Sequence, residues 1–415
     1  MKKLILITNA FPWGKIEKSF IMPELPYLQK KFKVTILSRA PMQLLEQKED
    51  ETPLADDIEL MNYQEEVPGK FEKFCLICKA VKKKEFRREI REVIKKKRGI
   101  YSLKETVFFW IRAVKFREWM RNHNLFDDPE NTIFYSYWAN YSVCSLAMEK
   151  KENSQIKFMT RTHGYDLYHE RFPGGWQPFK RFVDQWIDRI VFIAKVGYEY
   201  YLSHYADTID DKRYVICKMG VNKPLELPRK KEDIFRIVSC SAVSELKRVH
   251  MIVDALAKIN FQIEWHHFGN GPEFENIKEL SRSLLDKKEN VTYILHGFVQ
   301  NEDVMNYYRD NWVDCFITTS SSEGCPVSIQ EALAYGISVI GTDVGEIKYM
   351  IEKNGILLRQ TPTTDEIADA IVKIHECYNN NETRAMMREN SLAIWERDYQ
   401  LEKNINDFVA VLEKI

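Results

Sequence analysis

The chain has 415 residues, 45% of them apolar and 13% aromatic, which favours two or three folded domains and excludes an intrinsically disordered protein. Lysine plus arginine and aspartate plus glutamate both total 61, so the overall charge gives no support to nucleic-acid binding. No apolar run reaches the ~18 residues of a membrane-spanning helix. The eight scattered cysteines indicate reduced thiols in a cytoplasmic protein rather than a disulfide framework.

The N-terminal half alternates between predicted strands and helices. The opening segment MKKLILITN has too short an apolar run for a signal peptide and predicts a buried strand. Further strands are predicted for KVTILSR, NTIFYSYW and IKFMTRTHG, and a helix for MPELPYLQKKF. Continuous apolar strands between helices are typical of parallel sheets that helices cover on both faces.

The second half repeats this alternation. Strands are predicted for FRIVSCSA, FQIEWHHFG, VTYILHG and VDCFITTS, and helices for HMIVDALAKI, NEDVMNYYRD and VSIQEALAY. The predicted fold class is therefore α/β, with two doubly wound domains whose strand ends face each other across a cleft. We place the domains at residues 1–222 and 223–395, because the joining segment 222–234 is rich in proline and charge. Residues 396–415 are predicted to form a helix that packs back on the N-terminal domain.

The stretch SSSEGCPVSIQEALAYG combines a strand end, a glycine, a proline and a helix. Pro326 suits the first turn of that helix and Gly336 its end. A helix start directs free N–H groups and a positive dipole end at an anion such as a phosphate, and Gly324 allows close approach to the backbone. Glu331 in the helix and Glu323 before it are candidates to accept hydrogen bonds from sugar hydroxyl groups. The alternative is a glutamate pair that only complements the helix dipole or lies in solvent.

The longer stretch SEGCPVSIQEALAYGISVIGTDVG resembles the E-x7-E signature of the retaining nucleotide-sugar glycosyltransferases of family 4, which have the GT-B fold. The resemblance implies two facing Rossmann-like domains, of which the C-terminal one binds the sugar donor. It also implies transfer with retention of anomeric configuration, without a metal or another cofactor. Ser338 replaces a proline of the family pattern, and we assign no role to Glu346 or Tyr349, which occupy later positions of the motif.

The resemblance extends to the loop after the first strand of the second domain. In SCSAVSELKRVHMIVDAL, Lys247 matches the family lysine that binds the donor diphosphate, whereas Ser241 and Ala242 replace a glycine and an arginine. Arg248 is the candidate to supply the second cation. A lysine forms a good point-charge contact with phosphate, although a single lysine on such a loop is usually exposed surface.

Three further segments resemble family motifs. LHGFVQNEDVMNYY resembles the loop whose backbone contacts the nucleotide base, RTHGYDLY resembles the motif whose histidine contacts the transferred sugar, and FPWGKIEKSFIMPE resembles the opening segment, where Glu17 is a further candidate. The predicted catalytic residues are His163, Lys247 and Glu323, and no metal site is predicted. The predicted donor-binding residues are Gly14, Arg248, Gly297, Phe298, Val299, Glu323, Gly324, Cys325, Pro326, Val327, Ser328 and Glu331.

The segment KKKEFRREIREVIKKKR, residues 82–98, has ten Lys or Arg against three Glu. Its apolar residues recur at helical spacing and predict a helix with an apolar stripe beside a basic face; they are Phe86, Ile90, Val93 and Ile94. One interpretation is a helix that packs on its own domain. The other is a peripheral contact with anionic lipid at the cytoplasmic face of a membrane.

The sequence thus predicts a glycosyltransferase that moves a sugar from a nucleotide-diphosphate sugar, a UDP- or GDP-sugar, to a glycan acceptor. We expect this acceptor to be lipid-linked and the pathway to be surface polysaccharide biosynthesis. Two alternatives stay open: an inverting GT-B enzyme such as a nucleotide-sugar epimerase, and a non-catalytic nucleotide-sugar-binding scaffold. The alanine at position 242 favours the scaffold slightly.

Overall fold

The computed structural model describes residues 1–46, 52–207, 212–227, 231 and 233–415. The chain forms two compact units: residues 1–217 together with 405–415 make the N-terminal unit, and residues 218–404 make the C-terminal unit. Each unit is built on one parallel sheet with helices between the strands, so the predicted α/β fold class is confirmed.

The N-terminal unit contains a seven-stranded sheet in the order β3-β2-β1-β4-β5-β6-β7. Its strands are β1 (Lys2–Ile7), β2 (Phe32–Ser38), β3 (Glu59–Asn62), β4 (Thr132–Ser136), β5 (Lys157–Thr162), β6 (Arg189–Phe192) and β7 (Tyr214–Ile216). The strand order reverses between β1 and β4, which pair in register from Lys3 opposite Thr132. Buried apolar residues occupy both faces of the central strands, as expected for a sheet covered on both sides.

Nine helices accompany this sheet among the described residues. They are α1 (Lys15–Ile21), α2 (Leu25–Gln29), α3 (Met42–Glu46), α4 (Lys70–Ala80), α5 (Lys84–Lys95), α6 (Gly99–Asn122), α7 (Tyr141–Glu152), α8 (Lys180–Asp184) and α9 (Lys195–His204). Two short 3₁₀ turns, His169–Arg171 and Pro173–Gly175, precede α8. Within the predicted helix MPELPYLQKKF, α2 has Pro26 in its first turn, where a residue without an N–H group fits.

The C-terminal unit contains a six-stranded parallel sheet in the order β10-β9-β8-β11-β12-β13. Its strands are β8 (Phe235–Cys240), β9 (Ile263–Phe268), β10 (Val291–Gly297), β11 (Cys315–Thr318), β12 (Ser338–Thr342) and β13 (Gly355–Leu358). Its helices are α10 (His250–Leu256), α11 (Phe274–Leu285), α12 (Asn301–Asp310), α13 (Val327–Ala334), α14 (Thr364–Asn379) and α15 (Asn381–Ile394). The strand order reverses between β8 and β11, as in a Rossmann-like sheet.

The C-terminal stretch is helical as predicted, but it is interrupted. A π-helical turn, Trp395–Tyr399, follows α15, and Gln400 is extended before the last helix, α16 (Leu401–Glu413). Gln400 forms a parallel bridge with Val221, and the N–H of Leu401 donates to the carbonyl of Val221 at 3.1 Å. The end of α16 belongs to the N-terminal unit, where the Phe408 ring lies 5.2 Å from that of Tyr135.

Candidate donor and catalytic sites

The loops that follow β8 and β11 are bonded to each other where the strand order of the C-terminal sheet reverses. The N–H of Ser321 donates to the carbonyl of Leu246 at 2.7 Å, and the hydroxyl of Thr319 donates to the carbonyl of Arg248 at 2.9 Å. In doubly wound sheets, ligands bind at this reversal, outside the carboxyl ends of the strands. The two loops therefore define the candidate donor site of this unit.

Lys247 and Glu323, which were both predicted to be catalytic, form an ion pair. Lys247 ends a 3₁₀ turn after β8, and its Nζ lies 2.5 Å from Oε1 of Glu323 on the loop after β11. Their side chains are 25% and 11% exposed, so the pair is accessible from one side. A phosphate group would compete with Glu323 for the ammonium group, while the second carboxylate oxygen could accept from a sugar hydroxyl.

Arg248 is bound to backbone carbonyl groups. Its guanidinium donates to the carbonyls of Thr319 at 2.6 Å, Ser320 at 2.9 Å and Gln360 at 2.9 Å. Burial lowers its pKa, and its φ of 48° lies in the left-handed region. This geometry makes Arg248 a link between three loop segments, and its contact with a donor diphosphate stays a prediction.

The N-terminus of α13 is free to bind an anion. Pro326 occupies the N-cap position with φ −67° and ψ 118°, one residue ahead of the predicted first turn, and its side chain makes no capping hydrogen bond. The N–H groups of Val327 and Ser328 therefore have no carbonyl partner within the helix. The predicted end of the helix is confirmed, since Gly336 follows it with a φ of 69°.

The turn at Glu323 and Gly324 rests on a second glycine. A Cβ atom added to Gly324 would meet no heavy atom within 4 Å, whereas one added to Gly345 would lie 2.3 Å from the carbonyl oxygen of Glu323. The N–H of Glu346 donates to the carbonyl of Gly324 at 2.9 Å. Gly345 thus supports the turn with a φ of 56°, a conformation that favours glycine.

Cys325 lies between this turn and α13. Its side chain is buried, and the side-chain amide of Gln330 donates to its Sγ at 3.3 Å. Burial raises the pKa of its thiol, so the group is neutral. The predicted contact of this residue with the donor would therefore use its backbone.

Glu331 is a buried carboxyl group on α13. Its side chain accepts a hydrogen bond of 2.6 Å from the side-chain amide of Asn301, and burial raises its pKa to about 7. Asn301 is the first residue of α12 and was not predicted as a site residue. The predicted base-binding residues Gly297, Phe298 and Val299 come just before it, with Phe298 69% exposed.

In the N-terminal unit, the loop after β1 is organised around Glu17. The Glu17 carboxylate accepts hydrogen bonds from the N–H groups of Asn9 at 2.9 Å, Ala10 at 2.6 Å and Phe11 at 2.7 Å, and from the indole of Trp138 after β4. These bonds make Glu17 an anchor of the loop. A Cβ atom on Gly14 would lie 2.7 Å from that of Ala10, so glycine allows this tight turn.

His163 follows β5 in the N-terminal unit. Its backbone N–H donates to Oδ1 of Asp166 at 2.7 Å, and its ring centroid lies 5.0 Å from that of Tyr137 and 4.4 Å from that of Trp138. Its Nδ1 is 3.7 Å from Oδ2 of Asp166. Within the described part of the chain, both ring nitrogens of His163 are buried and have no hydrogen-bond partner, so the predicted contact with a sugar stays a prediction.

The predicted basic helix is present as α5, but its apolar stripe faces inward. Phe86 and Val93 are buried in the N-terminal unit, and only Ile94 of the stripe is strongly exposed. Exposed apolar residues lie instead on the preceding helix α4, where Phe71 is 79% and Phe74 64% exposed. The interpretation of a helix packed on its own domain therefore applies to the stripe.

The described residues contain no group of three or more His, Cys, Asp or Glu side chains that could hold a metal ion. Within the same residues no helix combines the length and the low charge that crossing a membrane would require.

Residues 226–393 match a family model described as Glycosyl transferases group 1. The O-antigen biosynthesis glycosyltransferase WbnH of Escherichia coli is 26% identical over 212 residues, which are 47% of this chain and 59% of that protein. The putative teichuronic acid biosynthesis glycosyltransferase TuaC of Bacillus subtilis is 25% identical over 271 residues, 61% of this chain and 63% of that protein. The chain thus matches less than two thirds of the length of these relatives.

Solved structures are similar over the whole chain. The lipopolysaccharide outer core galactosyltransferase WaaB has a TM-score of 0.68 at 14% identity, covering 99% of both chains. HepE of Anabaena, solved in complex with UDP and glucose, has a TM-score of 0.65 at 15% identity, covering 100% of both chains. The chain therefore has the two-domain α/β fold of the GT-B glycosyltransferases, and the family match supports a glycosyltransferase enzyme.

Proposed function

We propose that the chain is a retaining glycosyltransferase that transfers a sugar from a nucleotide-diphosphate sugar to a glycan acceptor in surface polysaccharide biosynthesis. The observation that carries the proposal is the Lys247–Glu323 ion pair beside the uncapped start of α13, with the buried Glu331 on the same helix. The O-antigen biosynthesis of WbnH and the putative teichuronic acid biosynthesis of TuaC support the class of pathway.

The donor would bind to the C-terminal unit in three parts. The diphosphate would contact Lys247 and the free N–H groups at the start of α13, where the helix dipole also favours an anion. Glu331 would accept hydrogen bonds from the two ribose hydroxyl groups, and residues 297–299 would contact the base. A UDP-sugar is the first donor to test, because HepE was solved with UDP.

The reaction would proceed on one face of the donor sugar. The acceptor hydroxyl oxygen forms a bond to the anomeric carbon as the bond from that carbon to the diphosphate oxygen breaks, and the electron pair leaves with the diphosphate. The acceptor proton passes to the departing diphosphate oxygen on the same face, so the configuration is retained. Lys247 and the helix N–H groups stabilise the charge that develops on the diphosphate.

The chemistry would require only side chains and backbone groups of this chain. The second carboxylate oxygen of Glu323 would bind a hydroxyl of the transferred sugar, and a role for His163 stays a prediction. We expect no metal or other cofactor to be required.

The test is a calorimetric titration with UDP, GDP, ADP and their glucose conjugates, followed by NMR of the product. We expect one nucleotide to bind with micromolar affinity and the variants Glu331→Ala and Lys247→Ala to bind that nucleotide more weakly. We expect the product to keep the anomeric configuration of the donor. An inverted product would favour the inverting alternative. Nucleotide binding without transfer to any glycan acceptor would favour the scaffold.

We also propose that the acceptor is lipid-linked and that residues 70–98 contact an anionic membrane at its cytoplasmic face. This segment, which contains the basic run 82–98, has thirteen Lys or Arg against four Glu in a chain of zero net charge. Its helix α4 exposes Phe71 and Phe74, three residues apart on one helix face, and Val81, which follows the helix, is also exposed. Basic residues beside exposed aromatic side chains are typical of interfacial helices.

Co-sedimentation with vesicles tests this contact. Phe71→Ser with Phe74→Ser should reduce binding to vesicles of phosphatidylglycerol, and vesicles of phosphatidylcholine should bind little. Leu225→Ser, at a residue of the C-terminal unit that is 98% exposed, is the control for loss of an exposed apolar side chain. Equal binding to phosphatidylglycerol vesicles by the wild type, the double phenylalanine variant and the Leu225→Ser control would refute the contact.

A further inference from the structure

A cavity of about 870 Å³ lies within the N-terminal unit. It is bordered by α5, the turns at residues 169–175, α8 and the C-terminal half of α9. Its volume lies in the range of small-molecule sites, ~300–1,000 Å³. None of the residues to which a donor, catalytic or loop-anchoring role was given above lines it.

The walls of the cavity are aromatic. His169 stacks on Trp176 with ring centroids 4.6 Å apart and planes inclined by 14°, and Tyr200 stacks on His204 at 3.9 Å and 12°. Trp186 also lines the cavity. Flat aromatic faces of this kind pack well against the C–H face of a pyranose ring, and their edges supply polar atoms.

The lining of the cavity is net basic, with seven Lys or Arg residues against four Glu. Among the cationic residues that line it, Lys151 forms an ion pair with Glu85 at 3.0 Å. Arg88 and Lys96 line it as well and are exposed, and their side chains form no ion pair or hydrogen bond with another described residue. Arg98 lies over the ring of Trp176, 5.7 Å from its centroid. Cations without an internal partner beside an aromatic wall favour an anionic ligand.

Deeper in the cavity lie polar groups that suit hydroxyl groups. Glu89 is 8% exposed, and its Oε1 accepts a hydrogen bond of 2.8 Å from the indole of Trp176. Lys180 is 6% exposed, and its Nζ donates to the carbonyls of Ala139 and Asp166 at 2.5 Å each. The cavity thus combines a net basic lining, aromatic walls and a buried carboxyl group.

We propose that this cavity binds a phosphorylated sugar, with the ring against the aromatic lining and the phosphate at Arg88 and Lys96. The ligand is either a free sugar phosphate or the sugar-phosphate head group of a lipid. This site is separate from the donor site in the C-terminal unit, and binding here requires no glycosyl transfer.

The test is a titration of the full chain that follows both heat and tryptophan fluorescence, with glucose 1-phosphate, glucose and inorganic phosphate as probes. Glucose 1-phosphate should bind at least about tenfold more tightly than either fragment, because each fragment makes only part of the contacts. If the natural ligand is the head group of a lipid, polyprenyl diphosphate-linked glucose in detergent micelles should bind more tightly than glucose 1-phosphate. Equal or weaker binding of that probe assigns the free sugar phosphate.

The helix α5 offers a matched control for charge. The double variant Arg88→Ala with Lys96→Ala should lower the affinity for glucose 1-phosphate by about tenfold or more. The double variant Arg91→Ala with Lys95→Ala should change this affinity by less than about twofold. Each double variant removes two positive charges from exposed positions of α5 or from Lys96, the residue that follows it. Only Arg88 and Lys96 line the cavity. Equal effects of the two double variants would overturn the proposal, as would no binding of any sugar phosphate.

The aromatic wall has its own control. Trp176→Phe should reduce affinity and remove most of the fluorescence change, while Trp312→Phe should alter neither. Each substitution removes an indole that donates to a carboxylate at 2.8 Å: Trp176 donates to Glu89 and Trp312 donates to Asp314. UDP binding should be unchanged in all of these variants, so failure of this proposal is distinguishable from failure of the proposed transferase function.

Discussion

Nζ of Lys247 and Oε1 of Glu323 lie 2.5 Å apart, although 76 positions separate the two residues in the sequence. The ion pair joins the loops that follow β8 and β11, at the reversal of strand order. Because the pair is partly exposed, solvent screens it and its contribution to stability is small. Its importance lies in placing one cation and one carboxylate beside the free start of α13.

Replacing Lys247 by alanine should reduce sugar transfer far more than it reduces stability. Loss of one group that stabilises developing charge costs about 10²-fold to 10³-fold in kcat. The control is Lys258→Ala, which removes an exposed ion pair of 2.5 Å with Asp365 in the same unit. Steady-state kinetics and thermal unfolding of both variants check this prediction. Similar activity in the two variants would contradict the role of Lys247.

Glu331→Gln should change how stability depends on pH. Burial raises the pKa of Glu331 from an ordinary 4.5 to about 7, so the folded chain holds this proton more tightly than the unfolded chain. The protonated carboxyl group therefore makes its full contribution to the free energy of unfolding below pH ~4.5. This contribution, about 3 kcal/mol at most, is lost as pH rises through ~7. Glutamine keeps an acceptor for Asn301 and carries no charge.

Urea unfolding at pH 5 and pH 8 tests this effect in the wild type and in Glu331→Gln. The wild type should lose more stability between these pH values than the variant does. Other buried acids, such as Asp314, titrate equally in both proteins and cancel in the difference. The same pH dependence in both proteins would show that Glu331 ionises without cost.

Arg248→Lys should destabilise the C-terminal unit even though it conserves the charge. The guanidinium donates to three carbonyl groups in a fork that an ammonium group does not reproduce, so we expect a loss of about 1–3 kcal/mol. Denaturant unfolding measures the loss, and titration with UDP measures any direct contact with the diphosphate. A variant of normal stability with weakened UDP binding would show that Arg248 acts on the phosphate instead.

Gly345→Ala should reduce stability, whereas Gly324→Ala should reduce donor affinity and leave stability unchanged. A Cβ atom at Gly345 would overlap the carbonyl of Glu323, and its φ of 56° disfavours alanine, so we expect a destabilisation of about 2 kcal/mol or more. A Cβ atom at Gly324 meets nothing, so stability should be unchanged within ~0.5 kcal/mol while donor affinity falls. Unchanged donor affinity in Gly324→Ala would place the donor elsewhere.

The fold was predictable where local pattern is strong. The helix α12 coincides with the predicted segment NEDVMNYYRD, since Gln300 and Asp303 form a capping box at its start. The central strands were recognisable as continuous apolar runs. The edge strand β7 has three residues, which carry too little pattern to be distinguished from a loop.

The candidate site was predictable only in part, because sequence spacing does not report contacts between distant segments. The resemblance named Lys247 and Glu323 separately, and the structure shows them paired. Asn301 has no local signal, since only folding brings α12 to α13. Gly345 could have been suspected, because a glycine after an apolar strand often marks a left-handed turn. The inward direction of the α5 stripe depends on the surrounding aromatic core and could not be read from helical spacing.

The chain enters and leaves the C-terminal unit at adjacent points. The N–H of Val221 donates to the carbonyl of Tyr399 at 2.9 Å, and the side-chain amide of Asn404 donates to the carbonyl of Met219 at 2.9 Å. A segment whose ends meet in this way has the topology of an inserted cassette. We therefore expect that residues 218–404 can be exchanged for the equivalent segment of a relative by two cuts only, and under the proposed function this exchange would transfer the donor preference without rebuilding the rest of the protein.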